Sequence, residues 1–224
     1  SSICLSSAAM QGWGFMIANP DLKFEKRLWP HFRYIAGLDE AGRGALAGPV
    51  AVGAVILPND KAHLTRTLAG VRDSKQMTPL EREALAPRIQ KAALAWSVAF
   101  ASAQEIDSHG IVEATRLAAT RALNSLSIFP EYLLTDFRLE LPQLDLSQTS
   151  LVKGDVRCLS IAAASVLAKT TRDACMLELD SQYQGYGLGK HKGYGTQAHR
   201  LALKRMGYSS IHRKSFSLKE LRPT

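Results

Sequence analysis

At 224 residues, 46% of them hydrophobic and 21% charged, the chain is long enough for one large domain and has the make-up of an ordinary globular protein. No apolar run approaches the roughly 18 residues of a membrane-spanning helix, and Ser1–Gly14 lacks the basic start of a secretory signal. The formal net charge of +8 is unevenly placed. Gly187–Thr224 carries nine Lys or Arg against one acid, Glu220, while the preceding residues carry nineteen of each sign. A basic segment of this kind is the footprint of a polyanion binder or a solvated tail. Three cysteines, Cys4, Cys158 and Cys175, are odd in number and have no ligand-like spacing. They argue against a disulfide framework or a zinc site and for a reducing, cytoplasmic compartment.

In chain order, Tyr34–Leu38 reads as a buried strand that runs onto two carboxylates, Asp39 and Glu40, and then into the turn Gly42-Arg43-Gly44. Gly48–Leu57 is β-branched and apolar, a second strand pairing with the first as a hairpin. Thr78-Pro79-Leu80-Glu81 is a helix start, with an N-cap, a proline at the first helical position and an acid in the first turn. That helix runs through Leu94, and a strand is expected over 96–103. A further helix begins at Asp107 or Ser108, on the spacing of Ile111, Ala114, Thr115, Ala118, Leu123 and Leu126. Glu131–Asp136 repeats the pattern of a short apolar strand ending on an acid. Leu139–Thr149 has loop composition, and Leu151–Asp155 reads as a short strand, again closing on an acid. Ser160–Leu179 is a strong helix, Tyr183–Thr196 a glycine-rich loop, and His199–Met206 a short basic helix. This order predicts an α/β fold on a mixed sheet.

Three strands ending on acids could bring Asp39, Glu40, Asp136 and Asp155 to one sheet edge, where open α/β sheets place their ligands. Carboxylates gathered there repel unless divalent cations neutralise them, and all-oxygen donors select Mg²⁺ or Mn²⁺. Two such ions ~3.5–4 Å apart would suit in-line displacement at a phosphodiester. In a regular strand Asp39 and Glu40 face opposite ways, so a shared site requires the strand to end or bulge there. Asp73 is expected to shape its loop and leave Lys75 to meet phosphate. Asp173 is expected in a local ion pair. His191 and His199, among basic residues, read as phosphate contacts or surface side chains.

The segments Gly37–Gly44, Leu46–Val50, Asp73-Ser74-Lys75, Lys153-Gly154-Asp155, Ile161–Ser165 with Ala168-Lys169, Arg172-Asp173, His191–Thr196 and His212–Phe216 together resemble the type II ribonucleases H over nearly the whole chain. The resemblance implies a ribonuclease H-like mixed sheet flanked by helices, with a helical C-terminal extension. It divides the chain into an N-terminal extension over 1–32 and a catalytic domain over 33–224. It implies an endonuclease that cuts the RNA strand of RNA–DNA hybrids, and cuts at ribonucleotides embedded in duplex DNA, by two-metal hydrolysis leaving 3′-hydroxyl and 5′-phosphate ends. The metal-binding and catalytic acids implied are Asp39, Glu40, Asp136 and Asp155, with Mg²⁺ or Mn²⁺. The substrate-binding residues implied are Gly42, Arg43, Gly44, Lys75, Ser165, Lys169, Lys192 and the junction-sensing Tyr194. The expected partners are hybrid duplex and ribonucleotide-containing DNA, with no membrane and a monomeric state. One departure is Phe137-Arg138 where the family usually has glycine after its third acid, which bears on the turn at Asp136. Ribonuclease HIII relatives share the acids but carry a longer N-terminal domain than the 33 residues before Tyr34 allow. The rivals are a junction resolvase on a similar scaffold and a nucleic-acid-binding protein without catalysis.

Overall fold

The computed structural model describes residues 19–59, 63–136 and 139–216. Its centre is a five-stranded mixed sheet. The strands are β1 (Ile35–Ala41), β2 (Val50–Ile56), β3 (Ala95–Ala101), β4 (Tyr132–Asp136) and β5 (Ser147–Leu151), in the order β3-β2-β1-β4-β5. The β1–β2 hairpin and the β2–β3 pair are antiparallel, while β4 and β5 run parallel to β1. The expected mixed sheet is therefore present, as is the hairpin. Parallel neighbours need crossovers, and the long helix α4 (Ala103–Asn124) supplies the one between β3 and β4.

Side-chain parity divides the sheet between two layers of helix. Ala36, Leu38, Val52, Ala54 and Ile56 pack with α4, and Ile35 packs with Ile161 of helix α5 (Leu159–Gln182) on the opposite face. Every residue of α5 from Leu159 to Ala168 is buried, which suits a helix pressed on a sheet and reads as an almost continuous apolar run. The approach is close enough to demand glycine at 37, since a Cβ there would fall 2.3 Å from the Ser160 carbonyl carbon. Helix α3 (Pro79–Ala92) packs outside α5 around Leu85, Ile89, Ala163 and Leu167. It opens as predicted, with Thr78 and Glu81 completing a capping box.

Three boundaries differ from the expectation. Helix α4 starts at Ala103, where Ser102 and Glu105 form a second capping box, and it breaks at Gly110 (φ 78°, ψ 159°). The break restarts the helical spacing after Asp107, which is the start that periodicity alone picks up. The fifth strand lies at Ser147–Leu151, beginning inside the segment read as loop and ending where the expected strand was to start. Its residues SQTSL are polar because the strand is an edge with half-exposed positions. Asp155 consequently sits in a 3-10 turn, Gly154–Val156, just beyond that strand. The N-terminal helix α1 (Lys23–Leu28) anchors to the body through Glu25, whose buried carboxylate accepts the Ser160 N–H at 2.9 Å. The last two helices are the short α6 (Leu188–His191) and the basic α7 (Gln197–Met206). No helix among the described residues is long and apolar enough to cross a membrane.

Candidate active site

The carboxylates at the end of β1 do not sit where the strand stops. Register runs unbroken through Asp39↔Gly53, Glu40↔Val52 and Ala41↔Ala51, so the expected end or bulge is absent. Instead β4 ends at Asp136, and its pairing with β1 closes at Leu38↔Thr135. Beyond that point the β4 side of β1 is open. Asp39, of the same parity as Gly37, stands on the α5 face, and Glu40 stands on the α4 face.

The acids form one electrostatic group. Asp39, only 2% exposed, is held well above the usual carboxylate range by burial and then by Glu40, with Asp155 adding to the repulsion and Ser165 and Lys75 opposing it. Glu40 is also raised. Burial is the main cause and Asp136 contributes, against the stabilising charge of Arg43, whose guanidinium lies 3.9 Å away. Asp155 is raised by burial and by Asp73. Lys75, its side chain 72% exposed, reaches to 3.6 Å from Asp155. Its own burial is outweighed by Asp39, Asp73, Asp155 and Glu40, which raise it above the ordinary lysine value. Asp136 accepts the Gly154 N–H at 2.9 Å, which ties the end of β4 to the turn carrying Asp155. The expected influence of Phe137 and Arg138 on Asp136 lies outside the described residues.

Asp39 Oδ2 and Glu40 Oε2 are buried and have no hydrogen-bond partner. Buried carboxylate oxygens without donors are costly, and hard oxygen donors in excess of nearby cations suit a divalent ion such as Mg²⁺ or Mn²⁺. As the side chains stand, no three His, Cys, Asp or Glu among the described residues converge closely enough to grip an ion by themselves. The fit therefore lies in donor chemistry and charge rather than in a finished cage.

Beside the acids lies an open groove of about 770 Å³. Its lining includes Glu40, Gly42, Arg43, Gly44, Lys75, Lys169 and Tyr194. Six of the eight expected substrate contacts thus come together from the β1–β2 connection, the 3-10 turn Ser74–Gln76, α5 and the α6–α7 loop. Ser165 and Lys192 do not line it. Ser165 is buried, donating its hydroxyl to Ser74 at 2.8 Å, and lies near enough to Asp39 to oppose the rise of its carboxyl. Lys192 turns its ammonium back onto the Gly189 carbonyl. Asp73 caps its turn by accepting the Lys75 N–H at 2.9 Å. Asp173 pairs with Lys169 at 2.7 Å and Arg82 at 3.3 Å, which is the local ion pair expected of it.

Two groups of residues important to this geometry have buried roles that the sequence did not indicate. Arg172 and Arg213 are fully buried, a rare place for arginine. Arg172 donates to the carbonyls of Pro49, Lys192 and Ala47 at 2.8, 3.0 and 3.2 Å. Arg213 donates to Gly48 and Arg43 at 3.0 and 2.9 Å. Together they lash the Gly42–Pro49 loop to the α6–α7 loop and the C-terminal segment. Gly42 (φ +85°) is required here, because a Cβ would fall 1.8 Å from Arg172 Nε. The histidines are the second group. His199 was expected at the surface or on phosphate, yet it is fully buried and stacks on His191 with centroids 4.3 Å apart. Amphipathic spacing on a basic helix cannot distinguish an interior histidine from a solvated one.

The ribonuclease HII family model matches residues 36–219. A ribonuclease HII of Synechococcus sp. (strain JA-3-3Ab) is 52% identical over 203 residues, covering 90% of each chain. That of Moorella thermoacetica is 50% identical, covering 81% of this chain and 85% of its own. Among solved structures, ribonuclease H2 from Pyrococcus horikoshii OT3 superposes with a TM-score of 0.67 at 28% identity, over 82% of this chain and 93% of that one. RNase HII of Archaeoglobus fulgidus, solved in complex with PCNA, gives 0.69 at 26% identity over 85% and 98%. With match, sheet order and acid-lined groove in agreement, the chain belongs to the ribonuclease HII family and is a ribonuclease H, of a family that cleaves the RNA of RNA–DNA hybrids.

Proposed function

We propose that residues 33–224 form a metal-dependent endonuclease that incises RNA–DNA hybrids and also single ribonucleotides embedded in duplex DNA. The observation that carries the reading is the pair of unpartnered buried oxygens on Asp39 and Glu40, with Glu40 lining a groove walled by Gly42-Arg43-Gly44 and Tyr194. Asp39, Glu40, Asp136 and Asp155 would hold Mg²⁺ or Mn²⁺, which when bound supplies an activated water and charge stabilisation for the departing 3′ oxygen. The protein's own residues do the rest. Arg43, Lys75 and Lys169 place positive charge along the groove for backbone phosphates. The Gly42–Gly44 backbone gives a close approach to the sugar edge, and Tyr194, 36% exposed, offers its ring to a ribose. The 2′-hydroxyl is the group that distinguishes the two sugars. The basic α7 face, with a shallow pocket along Gln197, Arg200 and Lys204, suits the duplex flanking the cut.

A labelled duplex with one ribonucleotide, assayed with Mg²⁺ or Mn²⁺, tests the proposal. Cleavage beside the ribose, leaving 3′-hydroxyl and 5′-phosphate ends, is expected, and Asp136→Asn should abolish it while duplex binding persists. Equal cutting of an all-DNA duplex would instead indicate a structure-selective DNA nuclease. Binding without cutting under any metal would leave only a nucleic-acid-binding role.

A further inference from the structure

Away from the acids, His212 and His199 form a chain of hydrogen bonds that ends on the backbone of Tyr194, and His191 stacks on His199. His212 Nδ1 accepts from the Ser209 N–H at 3.0 Å. A backbone amide can only donate, so this nitrogen carries no proton and the neutral ring has its hydrogen on Nε2. His212 Nε2 lies 3.1 Å from His199 Nε2, which must then be the acceptor. His199 accordingly carries its hydrogen on Nδ1, 3.0 Å from the Tyr194 carbonyl oxygen. One amide thus sets two tautomers in succession. His191, stacked on His199, is set the same way: its Nδ1 accepts the Gly193 N–H at 3.2 Å and its Nε2 donates to the Tyr186 carbonyl at 2.9 Å.

The arrangement admits no extra proton. Protonating either central ring would turn an acceptor nitrogen towards another N–H. Burial works in the same direction, followed by the neighbouring rings: His199 is lowered and His212 is held at about 4. The side chains facing the cluster are the phenols Tyr186 and Tyr208, each packed on His212, and the Ser209 hydroxyl at 2.7 Å from it. No carboxylate is among these contacts. At Tyr194 the carbonyl accepts from both His199 Nδ1 and the Thr196 N–H, the latter at 2.8 Å. Both its lone pairs are used, and the peptide plane cannot rotate without losing a bond. The ring projects from that plane to lie 5.6 Å from Lys169 Nζ and 5.6 Å from Arg172 Cζ, on the wall of the groove.

We propose that His191, His199 and His212 are positioning residues that act through Tyr194, a neutral relay from the C-terminal segment that sets the ring against the substrate sugar. The inference rests on the reading of Tyr194 as the junction reader. It explains why polar rings occupy an interior position that apolar side chains would fill at less cost: only a directional donor can orient a carbonyl.

The first test needs no variant that must fold. In ¹⁵N-histidine-labelled protein, long-range ¹H–¹⁵N spectra at pH 7 should show neutral rings for His199 and His212, with the proton on Nδ1 of His199 and on Nε2 of His212. A charged His199, or one protonated on Nε2, would overturn the relay. The second test is kinetic. His199→Gln leaves a polar group towards His212 but removes the Nδ1 donor. It should lower kcat/KM on the single-ribonucleotide duplex roughly tenfold, the worth of about one hydrogen bond. His199→Asn, whose amide sits at the Nδ1 position, should recover most of that loss. In a Tyr194→Ala background His199→Gln should cost almost nothing further. Equal losses in both backgrounds, with wild-type cutting intact, overturn the relay alone. Failure of the wild type to cut at the ribonucleotide overturns the reading of Tyr194 on which it rests.

Discussion

Asp39 shows how a residue proposed for the chemistry can be unfavourable for the fold. Its carboxylate is buried, crowded by Glu40 and Asp155, and one of its oxygens has no donor. Removing that charge should stabilise the metal-free protein. Asp39→Asn is expected to raise the melting temperature in EDTA by on the order of 1 kcal/mol, roughly 2–4 °C at this chain length, and to shrink the rise that Mg²⁺ gives the wild type. A lower melting temperature in EDTA would show that the carboxylate is held by something other than a cation. His212 makes the opposite kind of pH dependence. Its folded value of about 4 lies below the ordinary 6.5, so between those limits the unfolded chain binds the proton more readily. Its contribution, on the order of 3 kcal/mol, is fully present above about pH 6.5 and is lost as pH falls towards 4. Urea midpoints measured across that range in saturating Mg²⁺ should fall with acid, and His212→Gln should fall less. Parallel slopes would contradict the assignment.

At the scale of elements, the α5–β1 contact decides where the acids stand. The Ala-rich first turns of α5 lie so near the sheet that Gly37 has no space for a methyl group. Gly37→Ala should cost more than ~2 kcal/mol, because the clash is with backbone and cannot be relieved by a rotamer change. Chemical denaturation measures it, and a loss under 1 kcal/mol would mean that the helix shifts freely. The start of α5 is held by Glu25, whose buried carboxylate accepts the Ser160 N–H at the helix N-terminus. This contact makes α1 part of the working body rather than a loose leader. Asp155 reaches the site through its 3-10 turn, tied to β4 by the bond from Gly154 to Asp136, so the two acids move as a unit.

For the whole molecule, the excess positive charge lies in the C-terminal sixth, and α7 places Arg200 and Lys204 on one shallow pocket. Duplex affinity should therefore fall steeply with salt. The pair Arg200→Ala and Lys204→Ala should flatten the slope of log K against log salt by about one unit each if both meet phosphate. An unchanged slope in a titration monitored by fluorescence anisotropy would remove α7 from the interface. The same C-terminal segment supplies Arg213 and His212 to the interior, so the stretch of chain proposed to meet the duplex outside also positions a loop inside.

The acids and the glycine turn were legible in the sequence because strands, turns and carboxylates follow local rules: Tyr34–Leu38 is an unbroken apolar run buried on both faces that gives way to two acids, and glycine marks the chain's reversals. The helix starts at Thr78 and the mixed sheet were legible for the same reason. The polar edge strand at Ser147–Leu151 was hidden, since its stability comes from ladder bonds to β4 and not from apolar alternation. The burial of Arg172, Arg213, His199 and His212 was hidden more deeply. Nothing local separates a guanidinium that faces water from one that faces a carbonyl 123 or 165 residues away, and helical spacing does not show whether an imidazole turns inward. Sequence alone singled out the groups proposed for the chemistry, and tertiary packing decided how those groups are held, because hydrogen-bond partners distant in the chain become neighbours only in the fold.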